Sequence, residues 1–219
     1  MKHPSYTAKI APERIAYEMA GSGDTLSFGQ LDSRSNQAAH GLRKLGVEAG
    51  ENIALLFENC LEFVVLTWAA QRSGVFYTAI SCHLNANEIS YIVGDCASKV
   101  LVMSSKYEEL LPAIQNACPH VRIFVSGDRG NPERDWKTFV HPLPKGPIND
   151  ETVGTDLLYS SGTTGRPKGV VREFTRQPID TVIPPLMTVL CETMANMNDR
   201  SVYLSPAPLY HAAPLRTSM

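Results

Sequence analysis

Ten consecutive residues, "SSGTTGRPKG" from Ser160 to Gly169, place two serines, two threonines, three glycines, an arginine and a lysine between the apolar runs "DLLY" and "VV". These are the residue types that hold a phosphate. Gly162, Gly165 and Gly169 allow the main chain to come close to a ligand. Ser160, Ser161, Thr163 and Thr164 add hydroxyl donors, and successive N–H groups can form an anion-binding nest. Pro167 stiffens the chain before Lys168, whose ammonium is a mobile point charge suited to phosphoryl oxygens. The loop is not a Walker A motif, which needs Gly directly before Lys where this chain has Pro167. The segment after it opens on β-branched "GVV", a poor helix start, so a cradle built on a helix dipole is not expected.

Positioning such a loop takes a sheet, and the first half of the chain reads as one. "SFGQ" (Ser27 to Gln30) has capping-box spacing, and Leu31, Ala38, Leu42 and Leu45 follow at helical intervals up to Gly46. "NIALLFE" then reads as a strand. Asn59, with Glu62 three residues on, is expected to open the helix "CLEFVVLTWAAQRS", closed by Gly74. "VFYTAI" is strand-like, and Asn85 with Glu88 starts a helix through "EISYIVGD". "KVLVMS", the helix "KYEELLPAIQNA" and "VRIFVS" complete the alternation. Short apolar strands between helices predict an α/β fold with a parallel sheet covered on both faces.

Residues 127–150 break the rhythm, with seven Gly or Pro in 24 positions, and are expected to be an irregular connection. Beyond the phosphate loop the sequence suggests a helix over residues 180–196, with Pro184 and Pro185 limiting its start. A last strand, "SVYLSP", precedes "APLYHAAPLRTSM". Trp68, Tyr91 and the cysteines fall at helical core spacings and read as packing.

Composition narrows the class. The 219 residues carry 20 Lys and Arg against 22 Asp and Glu, interspersed, which leaves no electrostatic footprint for nucleic acid. The five cysteines are widely spaced with no C-x-x-C pair, and the six histidines are scattered. Reduced thiols and no metal held by protein side chains are expected. The start lacks the apolar core of a signal peptide, and the longest clean apolar stretch, "FVVLTWAA", is too short to cross a bilayer. A cytoplasmic protein is expected.

"YSSGTTGRPKGV" resembles the signature loop of the adenylate-forming superfamily, the acyl- and aryl-CoA ligases, luciferases and adenylation domains of peptide synthetases. "TLSFGQLDSRSNQAAHGLRKLGVEAGENIALLFENCLEFVVLTWAAQRSGV" is similar to the opening of acyl-CoA ligases, and "PLYHAAP" (Pro208 to Pro214) to their second active-site segment. The resemblance runs from about Thr25 to Pro214. It implies the layered αβ N-terminal subdomains of that fold and an ATP-dependent activation of a carboxylic acid, fatty or related, as acyl-AMP. Transfer to coenzyme A follows, with Mg²⁺ accompanying ATP. Ser160, Ser161, Gly162, Thr163, Thr164, Gly165 and Lys168 would hold the β- and γ-phosphates, and Arg166 takes the family's variable position. Lys168 and His211 are the implied catalytic residues, His211 falling on the histidine beside the acyl carboxylate and the thiol path. "VVREFTRQPID" departs from the family in lacking a histidine-bearing helix start.

The family's Mg²⁺-binding Glu, ribose-binding Asp, hinge and catalytic lysine belong to motifs later than Met219. Residues 1–219 are therefore expected to be an incomplete N-terminal large domain without the C-terminal domain. By themselves they are expected to be inactive and to self-associate through surfaces left uncovered. Two alternatives remain open: an adenylation domain that loads an acid onto a carrier protein, and an inert phosphate-binding or dimerising fragment.

Overall fold

The structure is a computed structural model, which describes residues 3–128, 130–160, 167–169, 173–181, 189–198 and 200–219. Its centre is a four-stranded parallel sheet of β3 (Asn52–Leu56), β4 (Phe76–Ile80), β5 (Val100–Ser104) and β6 (Arg122–Ser126), in the order β4-β3-β5-β6. Every residue of β3, β4 and β5 is buried, as expected of strands covered on both faces. One face is covered by α2 (Phe28–Lys44) and α3 (Leu61–Arg72), the other by α4 (Ala86–Asp95) and α5 (Leu111–Ala117). Ahead of these lie α1 (Pro4–Ile10) and a small antiparallel pair, β1 (Ile15–Glu18) and β2 (Thr25–Ser27).

The local signals decide most element ends. Ser27 and Gln30 exchange both hydrogen bonds of a capping box at α2, and Asn85 and Glu88 do so at α4. Gly46 and Gly74, past the ends of α2 and α3, sit at φ +76° and +68°, the left-handed conformation that glycine adopts without a Cβ penalty. Three expectations are corrected. Asn59 does not cap α3: Cys60 is the N-cap and makes no side-chain cap bond, because the Asn59 amide is used elsewhere. The helix "KYEELLPAIQNA" divides into a 3-10 stretch, Ser105–Leu110, kinked at Tyr107 (φ −113°), and α5, with Pro112 at the start of the latter. The connection over 127–150 contains α6 (Trp136–Val140), capped by Asp135 through the Thr138 N–H at 2.9 Å. Fully buried Trp136 packs edge-on against Phe124, ring centroids 5.4 Å apart. Side chains of α2 lace the rest of that connection down, Gln37 donating to the His141 and Leu143 carbonyls and Arg43 to Asp150.

At the end of the chain, residues 189–194 form a π-helical turn, Val189–Met194, whereas residues 182–188 of the expected helix lie outside the described residues. "SVYLSP" forms no strand with the described residues, the Ser201 N–H donating to the Asn198 carbonyl at 3.0 Å. Val202 is 98% and Leu204 70% exposed on it. The chain closes with α7 (Ala212–Ser218). No helix among the described residues is long and apolar enough to cross a membrane.

His3 is buried, edge-on to Trp68 at 5.2 Å. Burial first, and then the Arg72 guanidinium, push its pKa down to about 3 from an ordinary 6.5. The fold thus favours the neutral ring. Its contribution is fully present above pH 6.5 and is lost as pH falls from there toward 3. Acidification from pH 7 to 4 is therefore expected to loosen α1 before the sheet, seen as early amide exchange over residues 4–10. His3→Phe should remove that step; an unchanged pH profile in the variant would assign the loosening to another group.

Candidate active site

The segment that leads to residues 160–169 arrives beside β4. Bridges Ser73↔Thr152 and Tyr77↔Asp156 run parallel to it, with the Tyr77 N–H donating to the Thr155 carbonyl and the Leu157 N–H to the Tyr77 carbonyl. Gly154 makes this close approach possible. A Cβ there would lie 2.3 Å from the Val75 carbonyl oxygen and 2.6 Å from that of Ala70. The chain then enters an antiparallel hairpin of β7 (Tyr159–Ser160) and β8 (Lys168–Gly169), where Ser160 faces Lys168 and Tyr159 faces Gly169. The hairpin thus places Lys168 at the mouth of the loop, directly across from Ser160. Ser161, Gly162, Thr163, Thr164, Gly165 and Arg166 lie outside the described residues.

Helix α4 holds both stems. The Tyr159 hydroxyl donates to Asp95 Oδ2 at 2.5 Å, and the Tyr91 hydroxyl to the Pro167 carbonyl at 3.4 Å. Burial, and then the Asp95 carboxylate that accepts its proton, push the Tyr159 phenol well above its ordinary pKa. It therefore stays a neutral donor at any physiological pH. Tyr91 packs on the core as its spacing predicts, and its hydroxyl adds this grip. Going from Asp95 to Tyr91 is going toward the N-terminus of α4, which leaves the carboxyl end of β4. The hairpin therefore runs toward the carboxyl edge of the parallel sheet, where doubly wound folds bind their ligands. The returning chain is fixed too: Gln177 exchanges hydrogen bonds with Thr152 and Val153, and Phe174 packs edge-on against Phe76 at 6.2 Å.

His211 reaches the same edge by a different route. It is the exposed N-cap of α7, with extended backbone and no side-chain capping bond. Its ring lies 4.5 Å from that of Tyr210, which meets His83 edge-on at 6.3 Å. His83 follows β4, so the aromatic row stands at the sheet's carboxyl edge. Asn59, which follows β3, grips the segment from below, donating to the Ala207 carbonyl at 3.1 Å and accepting from the Leu209 N–H at 2.8 Å. This explains why Asn59 is not free to cap α3.

Two anchors had no sequence signal of their own. Arg216 of α7 forms a bidentate pair with Asp156, Nε–Oδ1 3.0 Å and Nη2–Oδ2 2.6 Å, and Asp156 is 3% exposed. Tyr17 donates to the Ser218 carbonyl at 2.7 Å while accepting from the Trp68 indole at 2.9 Å. Asp156 stood in the sequence only as the first residue of a strand, and Arg216 as one charge near the end.

A parallel αβ sheet with the β7–β8 hairpin and a histidine segment at its carboxyl edge has the layout in which α/β folds bind ligands. The family comparison makes this specific. Residues 5–219 match the family model described as AMP-binding enzyme, and the chain belongs to that family. It is 27% identical to a long-chain-fatty-acid–CoA ligase of Mycobacterium tuberculosis, FadD13, over 96% of this chain and 40% of that protein. It is 30% identical to a 4-hydroxybenzoate–CoA/benzoate–CoA ligase of Rhodopseudomonas palustris, over 89% of this chain and 36% of that one. The solved Mycobacterium tuberculosis fatty acyl CoA synthetase superposes with a TM-score of 0.75 at 23% identity, over 99% of this chain and 41% of that one. The chain is thus homologous to acid–CoA ligases and spans less than half the length of these relatives.

Proposed function

We propose that these residues supply the polyphosphate cradle and the acyl-facing histidine of an ATP-dependent acid–thiol ligase. That enzyme activates a fatty or related carboxylic acid as acyl-AMP and passes the acyl group to coenzyme A. The observation that carries the proposal is convergence. A hairpin with Lys168 at its mouth and a segment presenting His211 both face the carboxyl edge of one sheet, though they lie far apart in sequence.

The chemistry calls for such an arrangement. A carboxylate must approach the α-phosphorus of a polyanion, and the repulsion between them is the main obstacle. Positive charge and oriented donors on the β- and γ-phosphates relieve it and hold the pyrophosphate in line as it leaves. In this proposal Lys168 provides the charge, and Ser160, Ser161, Gly162, Thr163, Thr164 and Gly165 the donors and close backbone. Mg²⁺ comes with the nucleotide, and the Glu that the resemblance expects to hold it belongs to a motif later than Met219. His211 stands on the acyl side, where an imidazole can donate to or accept from a carboxylate or thiol. A short, tethered hairpin suits this task, since a cradle that moved would lose the in-line geometry.

Lys168→Ala is the direct test. In a chain that binds nucleotide, losing one charge-assisted contact is expected to weaken ATP and pyrophosphate together by about 1.5–3 kcal/mol. AMP affinity should stay nearly unchanged. Titration calorimetry with the three ligands reads this out, and an equal loss for AMP would move Lys168 off the polyphosphate. In a longer chain that also carries the family's later motifs, His211→Ala should slow acyl-AMP formation or thiol transfer while leaving pyrophosphate affinity intact; wild-type rates in both half-reactions would return His211 to a structural role.

A further inference from the structure

We infer that the pair of buried Asp156 with half-buried Arg216 is a positioning strut that sets the separation between the phosphate hairpin and His211. Asp156 stands beside Tyr77 at the foot of the strand that leads to the hairpin. Arg216 stands on α7, the helix that His211 caps. The pair joins residues 60 apart in sequence, in a bidentate geometry that fixes both distance and orientation. Both arms run from it toward the carboxyl edge of the sheet. Along an extended chain Ser160 is four residues on, about 13 Å. Along the helix His211 is five residues back, about 7.5 Å. A small change of angle at the strut is therefore enlarged at the two tips.

The surroundings are built to transmit that geometry. On the strand arm, Leu157 is buried and its N–H is held by the Tyr77 carbonyl at 3.0 Å. On the helix arm, Leu215 is 1% exposed, the Ser218 carbonyl is held by Tyr17, and the Tyr77 hydroxyl reaches Met219 Sδ at 3.1 Å. Tyr77 thus touches both arms, through its backbone on one side and its ring on the other. Arginine is required rather than any cation, because only its planar fork meets both carboxylate oxygens at once.

The inference uses the proposed roles of the hairpin and His211 to say what is positioned, but its test does not depend on activity. Amide exchange is followed by mass spectrometry on the 219-residue chain and on Arg216→Ala, Arg216→Lys and Asp156→Asn. Breaking the pair at α7 is expected to speed exchange across residues 157–160 and 167–169 at least tenfold, and breaking it at Asp156 to do the same across 206–211. Amides of β3 and β5 should be unaffected in both. Arg216→Lys keeps a charge without the fork, folds even where the alanine variant does not, and should give an intermediate increase. Loosening confined to the mutated arm would make the pair a local staple and overturn the inference. Pyrophosphate binding by the wild-type chain is measured alongside. Coupled exchange without pyrophosphate binding would sink the proposed function and leave the strut; binding without coupled exchange would do the reverse.

Discussion

Replacing Arg72 with alanine is expected to destabilise the chain by about 3–5 kcal/mol, the cost of breaking a buried ion-pair network from one side. Arg72 is 1% exposed at the end of α3 and spends its donors on two segments, α2 and the stretch that Glu151 opens. Nε donates to Glu151 at 2.9 Å, Nη2 to the Asp32 carboxylate at 2.9 Å, and Nη1 to the Asp32 carbonyl and the Ser35 hydroxyl. Its removal leaves Asp32 and Glu151 facing an empty space without their shared cation, and it also removes the packing of the Arg72 side-chain stem. Their side chains keep 27% and 22% exposure, so water can reach them in part, which favours the lower end of the range. The consequence for the candidate site is positional, because Glu151 opens the stretch that runs past Gly154 and Asp156 into the β7–β8 hairpin. Arg72→Lys keeps charge but not the fork and should fall between the two. Urea unfolding followed by tryptophan fluorescence measures all three, and a loss below about 1 kcal/mol for the alanine variant would contradict the network's role.

The 219 residues by themselves are expected to exchange pyrophosphate into ATP at least about 10²-fold more slowly than a longer chain that also carries the family's later motifs. The resemblance assigns to those motifs a metal-binding Glu, a ribose-binding Asp and a lysine that neutralises the α-phosphate. Each positioned charge in such a transition state typically contributes about 10²–10³ in rate, and here three are tested together. The same preparation is expected to sediment heavier than its 24.0 kDa monomer. Residues 201–206, with Val202 98% and Leu204 70% exposed, offer apolar surface to a second copy. Acid-dependent exchange and the mass in solution decide the two points. Robust exchange by a monodisperse monomer would sink both.

Much of this was open to sequence reading wherever the signal is local. The capping boxes at Ser27 and Asn85 and the left-handed glycines at 46 and 74 each act within one turn of chain, so they form as their spacing says. The four parallel strands were legible for a related reason: an apolar run too short for a helix and bounded by caps has few other places to go. The hydroxyl- and glycine-rich loop suggested phosphate chemistry through its composition, and that reading enters as a proposal.

Tertiary structure decided what depends on a partner. Asn59 has good cap spacing, but its one amide serves the 207–209 backbone instead, a competitor about 150 positions away that no window contains. Trp136 opens a five-residue helix within a Gly- and Pro-rich connection, and Phe124 offers its ring a buried face. "SVYLSP" carries strand-like residues and forms no strand, since a strand is stabilised by the neighbour it pairs with and the described backbone supplies none. The pairs Tyr159–Asp95 and Asp156–Arg216 join ordinary residues 64 and 60 positions apart. Residue type supplies a charge or a hydroxyl, but only the folded chain can bring it within 3 Å of its counterpart.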